Sequence, residues 1–159
     1  MGLEAKNPYE NDNFKSDESA QVGTLLTGIH HVGIAVRDLD AALDEYRETF
    51  GVWVDHREVL EVDGVDVALI EVGGSYIQLM TPTRDDSLLA EFLEERGPGI
   101  HHVGYRVSDC AAALAELVAQ GHEVIDEEPR RGLADAMVAF VHPRALFGTL
   151  IQLVEERPS

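Results

Sequence analysis

The chain has 159 residues, and its length and 45% hydrophobic content favour a single domain with one core. Thirty acidic residues against twelve Lys and Arg give a net charge of -18, which argues against nucleic acid as a partner because phosphate contacts need basic patches. No apolar run approaches the roughly 20 residues that span a membrane. The single cysteine, Cys110, excludes an internal disulfide, so we expect a cytoplasmic protein.

Residues 1–26 are polar, acidic and aperiodic, which predicts a disordered tail with order beginning near Leu26. They contain no apolar segment of the kind found in a secretory signal. The two lysines of the chain, Lys6 and Lys15, both lie here. An acidic, lysine-poor surface is expected for a protein in a high-salt cytoplasm, where salt screens the repulsion between like charges. The same composition is equally expected for an acidic protein from a high-GC genome, in which Arg replaces Lys.

Residues 27–159 are expected to form one domain built from a repeated unit. The segment GIHHVGIAV, which starts at Gly28, recurs as GIHHVGYRV from Gly99, 71 positions later. Later in each unit YIQLM (76–80) matches LIQLV (150–154) at an offset of 74. Matches over so many positions indicate an internal duplication.

The first module, about residues 27–82, predicts the order βαβββ. HHVGIAV is a strand of β-branched and small residues, and Asp38 or Asp40 can cap the helix LDAALDEYRETF, which Gly51 ends. Three strands should follow, VWVDHREVLEV, VDVALIEV and SYIQLMTP, with hairpin turns at residues 63–64 and 73–74.

A short helix in residues 83–98 should link this module to the second, about residues 99–156. The second module repeats the order with the strand HHVGYRV, the helix CAAALAELVAQ and the strands HEVIDEE, AMVAFVH and GTLIQLVEE. We therefore predict an α+β fold, in which two tandem βαβββ modules form a mixed-sheet, partly open barrel around a central cavity. Two four-stranded sheets would carry the helices on their outer faces.

Strand alternation predicts that the second histidine of each pair faces the cavity. His31 shares a face with Gly33, whose missing side chain leaves open space before the imidazole, and His102 is placed in the same way. We expect His30 and His101 to face away and to be structural. The remaining histidines should lie at the surface or in loops: His56, His122 and His142.

Two glutamines recur in register with these histidines. Gln78 and Gln152 each lie between two apolar residues that face the other way, so each places an amide inside a β-rich core. We expect both to converge with His31 and His102 near a pseudo-two-fold axis. Imidazole nitrogen and amide oxygen can bind a divalent metal ion such as Co, Mn, Ni or Zn, whereas the alternative is a set of hydrogen-bonded structural residues.

These segments resemble the vicinal oxygen chelate (glyoxalase/bleomycin resistance/dioxygenase) superfamily, and within it the methylmalonyl-CoA epimerases. The resemblance is carried by HHVGIAV, YRETFG, GVDVALIEVGGSYIQLMTP, DDSLLAEFLEERGPGIHHVGYRV, VIDEEPRRG and FVHPRALFGTLIQLVE, which together cover most of residues 28–155. It implies the paired fold, a homodimer, an acyl-CoA substrate and one divalent metal ion with the ligands His31, Gln78 and His102.

The implied reaction is the epimerisation of methylmalonyl-CoA or a related 2-substituted acyl-CoA. A proton would leave and return at the carbon between thioester and carboxylate, through a metal-stabilised enolate. The resemblance implies a glutamate as the last ligand and proton carrier, where this chain has Gln152, and a second one in one branch, where it has Val67. Gln152 can bind a metal but cannot act as a base. Strand alternation places Glu71 on the same face as Val67, which makes it the candidate base. The alternative interpretation is that Glu71 is an exposed residue beside a turn.

Coenzyme A is polyanionic, so an acidic protein must bind it with local cations. Arg130, Arg131 and Arg144 lie in loops after strands of the second module and can contact phosphates, with ordinary solvent exposure as the alternative. Arg106 should face the cavity, where its guanidinium can bind the substrate carboxylate in bidentate geometry.

Two other functions stay open at this point. One is a different metal-dependent isomerase or lyase of the superfamily with a non-CoA substrate, which the loss of both glutamates favours. The other is a non-enzymatic protein that sequesters a small molecule in the cavity. The intact pair His31 and His102 argues against the second, because pure binding needs no metal.

Overall fold

One mixed sheet of eight strands frames the protein in the computed structural model, which describes residues 25–158. The strands are β1 (Leu26–Ala35), β2 (His56–Leu60), β3 (Val65–Val72), β4 (Ser75–Pro82), β5 (Gly99–Val107), β6 (Arg130–Arg131), β7 (Met137–Val141) and β8 (Ile151–Glu155). The helices are α1 (Leu39–Phe50), α2 (Leu88–Arg96) and α3 (Cys110–Ala119), and short 3-10 turns cover Leu133–Asp135 and Pro143–Ala145. The tail predicted for residues 1–26 lies outside the described residues, apart from its last two positions.

The strand order β2-β3-β4-β1-β5-β8-β7-β6 shows how the two modules join. Each module contributes four adjacent strands, and β1 pairs antiparallel with β5 at the centre of the sheet. β1 is parallel to β4 and β5 is parallel to β8, so the two halves share one mixed pattern. The predicted α+β fold of two tandem modules is confirmed, and the two expected sheets are halves of one continuous sheet.

The duplicated modules begin their helices with the same cap. The Asp38 carboxylate accepts a hydrogen bond from the Ala41 N–H at the start of α1, and Asp109 accepts from the Ala112 N–H at the start of α3. Each cap satisfies a backbone N–H that has no partner within the helix. Gly51 then ends α1 in the left-handed conformation, with φ of 67°, as the sequence predicts.

One strand prediction was wrong in extent, and another fell on a segment that forms no strand. The segment 52–62 forms a strand only from His56 to Leu60. The segment 122–128 is irregular: Val124 makes a single bridge to Val141, and β6 is only two residues long. Pro129 has no N–H to donate, and the backbone N–H groups of Ile125 and Asp126 both donate to one carbonyl, so no regular ladder forms here.

The helices α1 and α3 cover the outer face of the sheet. Leu39 of α1 is buried with Ile70 and Leu79 in the first half, and Leu114 of α3 is buried with Leu153 in the second. Burial of one such side chain contributes about 1.5–3 kcal/mol. With the outer face covered, the inner face of the curled sheet is left to form a cavity. None of the helices within residues 25–158 is both long and apolar enough to cross a bilayer.

Candidate active site

The inner face of the sheet encloses a cavity of about 490 Å³ between the two modules. The polar side chains along its sheet wall are His30, His31, Gln78, His101, His102 and Gln152. Apolar side chains form most of the remaining wall, among them Leu60, Val67, Met80, Leu89, Val138 and Val154. A mostly apolar cavity with a few converging polar groups is the usual form of a small-molecule site.

His31 and His102 meet at the centre of this wall. Their Nε2 atoms lie 2.7 Å apart, and each side chain belongs to a residue that is only 2% exposed. The β1–β5 register places His31 opposite Gly104 and Gly33 opposite His102. A Cβ atom on either glycine would overlap the imidazole ring opposite it, so both positions require glycine for the histidines to meet.

Burial keeps the two central imidazoles neutral. Burial, followed by the neighbouring His30, lowers the pKa of His31 to about 3. Burial, and then the adjacent His31 and His101, lowers the pKa of His102 well below its usual value. Near neutral pH each ring therefore keeps one nitrogen lone pair, which is the form of histidine that binds a metal ion.

His30 and His101 also line the cavity, although strand alternation predicted that they face away. Nδ1 of His30 lies 2.7 Å from Nδ1 of His31, and Nδ1 of His101 lies 2.9 Å from Nδ1 of His102. The four rings thus form a row with His31 and His102 at its centre. Burial lowers the pKa of both outer histidines as well.

Both predicted glutamines line the same cavity as the central pair. Gln78 is buried and donates a hydrogen bond from its amide nitrogen to the Met80 sulfur at 3.3 Å. Gln152 lines the same cavity as His102, from the neighbouring strand β8. The structure therefore brings together the four side chains that the sequence singled out as metal ligands: His31, Gln78, His102 and Gln152.

The donor set fits a divalent metal ion only when the amides are included. Within the part of the chain that the structure describes, no three His, Cys, Asp or Glu side chains form a cluster with the geometry of a metal site. Two neutral imidazoles with opposed Nε2 atoms and two amides beside them match cations of intermediate softness. His31 and His102 would hold such an ion, and Gln78 and Gln152 would complete its shell.

The structure does not bring Glu71 into the site. Glu71 is exposed near the end of β3, where its N–H bonds the Asp55 carboxylate. Val67 and Glu71 are four residues apart in one strand, so strand alternation places them on the same face. Val67 is buried in the cavity wall, as this alternation predicts. In the pairing of β3 with β4, Leu69 lies opposite Gln78, which lines the cavity. Glu71 lies two residues further along β3, beyond the edge of the cavity.

Arg130 is the one predicted substrate-binding arginine that the structure places in the cavity lining. Its Nη1 atom lies 3.1 Å from Asp63 of the first module, and its Nε atom lies 3.4 Å from Asp126. Sequence reasoning missed Arg84, which lines the cavity and donates to the Glu61 carbonyl. Its position directly after β4, the strand of Gln78, was the available signal.

The other predicted arginines lie outside the cavity. Arg106 forms an ion pair with Glu156 and donates to the Gly74 carbonyl, because it is near the far end of β5, four residues beyond His102. Arg144 is exposed and forms an ion pair with Glu123 at 3.0 Å. Arg131, also exposed, pairs with Asp135, four residues further along the chain.

Residues 30–140 match the model of the glyoxalase/bleomycin resistance protein/dioxygenase superfamily. The chain belongs to this superfamily. The matched region contains His31, Gln78 and His102 and ends before Gln152. The resemblance inferred from the sequence is thereby confirmed.

Three relatives narrow the comparison within the superfamily. The ethylmalonyl-CoA/methylmalonyl-CoA epimerase of Cereibacter sphaeroides is 38% identical over 131 residues, which are 81% of this chain and 98% of that protein. The methylmalonyl-CoA epimerase of Mycobacterium tuberculosis is 43% identical, with a TM-score of 0.81 over 84% of this chain and 91% of that one. A variant of the Streptomyces coelicolor methylmalonyl-CoA epimerase in complex with 2-nitronate-propionyl-CoA is 40% identical, with a TM-score of 0.82 over 84% and 99%. These likenesses confirm the prediction of an isomerase of the methylmalonyl-CoA epimerase type.

Proposed function

We propose that the protein epimerises methylmalonyl-CoA, or a related 2-substituted acyl-CoA, by 1,1-proton transfer with the help of one divalent metal ion. The observation that carries the proposal is the central pair, His31 and His102. Two buried, neutral imidazoles meet at 2.7 Å in the wall of an apolar cavity, with Gln78 and Gln152 beside them. The epimerase activity named for the relatives supports the choice of reaction.

A divalent ion held by His31, Gln78, His102 and Gln152 would act as a Lewis acid that stabilises the negative charge of an enolate. The four ligands are neutral, so they would leave the positive charge of the site uncompensated. The apolar walls around them keep water away and strengthen electrostatic interactions inside the cavity.

Arg130 and Arg84 are the cationic groups that we propose for the anionic parts of the substrate. Both line the cavity, and both are partly engaged with carboxylates or carbonyls of the chain, Arg130 with Asp63 and Arg84 with Asp86. A substrate phosphate or carboxylate can replace these contacts with charge-assisted hydrogen bonds. The strongly negative surface makes such local cations necessary for a CoA ester.

A second candidate is another metal-dependent isomerase or lyase of the superfamily with a non-CoA substrate. It is favoured by Gln152 and Val67, which place an amide and an apolar side chain where the epimerase resemblance implies carboxylates. Binding of a small molecule without reaction is a third outcome that the experiment below separates from both.

The direct test is solvent exchange at the substrate carbon. The protein is loaded with Co²⁺ and incubated with (2R)- or (2S)-methylmalonyl-CoA in D₂O, and deuterium at C2 is followed by mass spectrometry. We expect exchange with the wild type, and a loss of about 100-fold or more in His31→Ala and in His102→Ala, because each removes a ligand of the ion. His56→Ala is the matched control, since His56 is exposed and pairs with Glu58 outside the cavity.

Two results would contradict the proposal. Exchange no faster than the buffer background in the wild type would remove the epimerase reaction. Bound Co²⁺ would then favour the second candidate, whereas no bound Co²⁺ would favour binding without reaction. Metal analysis gives the other: if His31→Ala and His102→Ala bind as much Co²⁺ as the wild type, the proposed ligand set is wrong.

A further inference from the structure

His30 and His101 occupy equivalent irregular positions in the two central strands. Ile29 and His31 pair with consecutive residues of β5, so His30 is an extra residue in β1. In the same way, His101 is skipped in β5 between the residues that pair with Gly33 and Ile34. Each is therefore the additional residue of a β-bulge, a device that turns a side chain away from its regular direction. Here both bulges turn an outer histidine toward an inner one.

The contacts in the row of rings restrict where protons can lie. A neutral imidazole has one N–H and one lone pair, so it can donate from one nitrogen only. If the Nε2 atoms of His31 and His102 were to bind one cation, both would have to offer lone pairs, and the rings would have to move apart from their 2.7 Å contact because metal–imidazole bonds are about 2 Å long. Both inner rings then carry their proton on Nδ1, and each Nδ1–H needs an acceptor.

The outer rings are placed to be those acceptors. Nδ1 of His30 and Nδ1 of His101 lie at 2.7 and 2.9 Å from the inner Nδ1 atoms, which is hydrogen-bonding distance. An outer ring that accepts at Nδ1 carries its own proton on Nε2. For His30 that nitrogen lies 3.9 Å from the Glu156 carboxylate, which favours an N–H there.

We propose that His30 and His101 are positioning residues that accept hydrogen bonds from Nδ1–H of His31 and His102 and so hold both inner rings in the tautomer that presents Nε2 to a divalent cation. The inference rests on the metal site of the proposed function and adds a role for the two histidines that this site leaves outside the ligand set. Hydrogen-bond partners of ligating histidines fix the ring orientation and increase ligand basicity.

The test compares side chains that can accept at the Nδ1 position with side chains that cannot. Asn places its amide oxygen close to where His has Nδ1, whereas Leu fills similar space without an acceptor. The full-length protein is stripped with a chelator, and Co²⁺ affinity is measured by calorimetry for His30→Leu, His30→Asn, His101→Leu and His101→Asn. His56→Leu is the control for loss of a histidine outside the cavity.

We expect each Leu variant to bind Co²⁺ about 10- to 100-fold more weakly than the wild type, which is the usual effect of removing such a partner. Each Asn variant should recover most of that loss, and His56→Leu should match the wild type. Leu variants that bind Co²⁺ as tightly as the wild type, or Asn variants as weak as the Leu variants, would overturn the inference. A wild type without Co²⁺ affinity would instead overturn the proposed metal site.

A second measurement does not depend on the folding of any variant. With Zn²⁺ bound to the ¹⁵N-histidine-labelled wild type, the imidazole nitrogen shifts report which nitrogen of each ring carries the proton. We expect Nδ1–H for His31 and His102 and Nε2–H for His30 and His101. Outer rings protonated at Nδ1 would contradict the proposal, even if the metal is bound.

Discussion

Gln152 gives the candidate site its particular chemistry at the scale of single residues. Its amide lines the same cavity as His102, at the position where the resemblance to the epimerases implies a glutamate. An amide can contribute an oxygen to a metal shell but cannot accept a proton near neutral pH. The proposed site can therefore stabilise a developing negative charge more readily than it can remove the proton that creates it.

Gln152→Glu should increase the rate of deuterium exchange at C2 of methylmalonyl-CoA. The new carboxylate would supply a base within the cavity, and a positioned base contributes about 100-fold or more. Gln78→Glu is the matched control, because it introduces the same charge in the cavity lining from the other module. A lower exchange rate in Gln152→Glu than in the wild type would mean that Gln152 serves a different reaction.

The faces predicted from strand alternation held where the strands border the cavity, whereas Arg106 and Glu71 lie beyond it. His31, Gln78, His102 and Gln152 all line the cavity, as their parity predicts. His30 did not follow its parity, because a bulge adds one residue and reverses the face of a side chain. Nothing in the letters HHVG marks a bulge, so only the pairing of the two strands reveals it.

At the scale of elements, the pairing of β1 with β5 creates the site. The two strands come from different modules, and their register places each inner histidine over a glycine of the other strand. A sheet joined along any other pair of strands would separate His31 from His102. The two copies of the motif HHVG therefore form one site only because their strands are adjacent and antiparallel.

Gly33→Ala and Gly104→Ala should each destabilise the protein by about 1–3 kcal/mol, the usual cost of overpacking a filled site. The added methyl group would overlap the imidazole opposite it, and one of the two must move. The free energy of unfolding is measured by urea titration, together with Co²⁺ binding, which should weaken in both variants.

The control for these variants is Gly28→Ala in the same strand β1. A Cβ at Gly28 would lie 3.3 Å from the Arg106 guanidinium, which is the end of a flexible side chain and can move. We expect little change in the urea midpoint for this variant. Equal midpoints for Gly33→Ala and Gly28→Ala would contradict the close approach of strand and ring.

At the scale of the whole molecule, the protein buries three histidine rings, His30, His31 and His102, and partly buries a fourth, His101, in one row. Burial lowers the pKa of all four rings, and for His31 the value is about 3 against an ordinary value of 6.5. Between these two pH values the unfolded chain binds more protons than the folded protein. The free energy of unfolding must then fall as the pH falls.

Urea titrations of the metal-free protein at pH 7.5, 6.5 and 5.5 should show this loss of stability. Each buried histidine contributes a slope of up to about 1.4 kcal/mol per pH unit below pH 6.5, because one unit of pKa difference corresponds to that energy. His31→Gln should reduce the slope, whereas the exposed His56→Gln should leave it unchanged. A stability that is constant or higher at pH 5.5 would show that the row is not buried and neutral in the folded protein.

The sequence by itself determined the duplicated plan, the helix caps and the side chains that converge, because these depend on local periodicity and on short-range hydrogen bonds. It did not determine the extent of β6, the bulges at His30 and His101 or the positions of Arg106 and Glu71. Those depend on how far each strand runs past the cavity and on which residue of a partner strand lies opposite. Both are settled by pairing between residues far apart in the chain, and only the tertiary structure fixes that pairing.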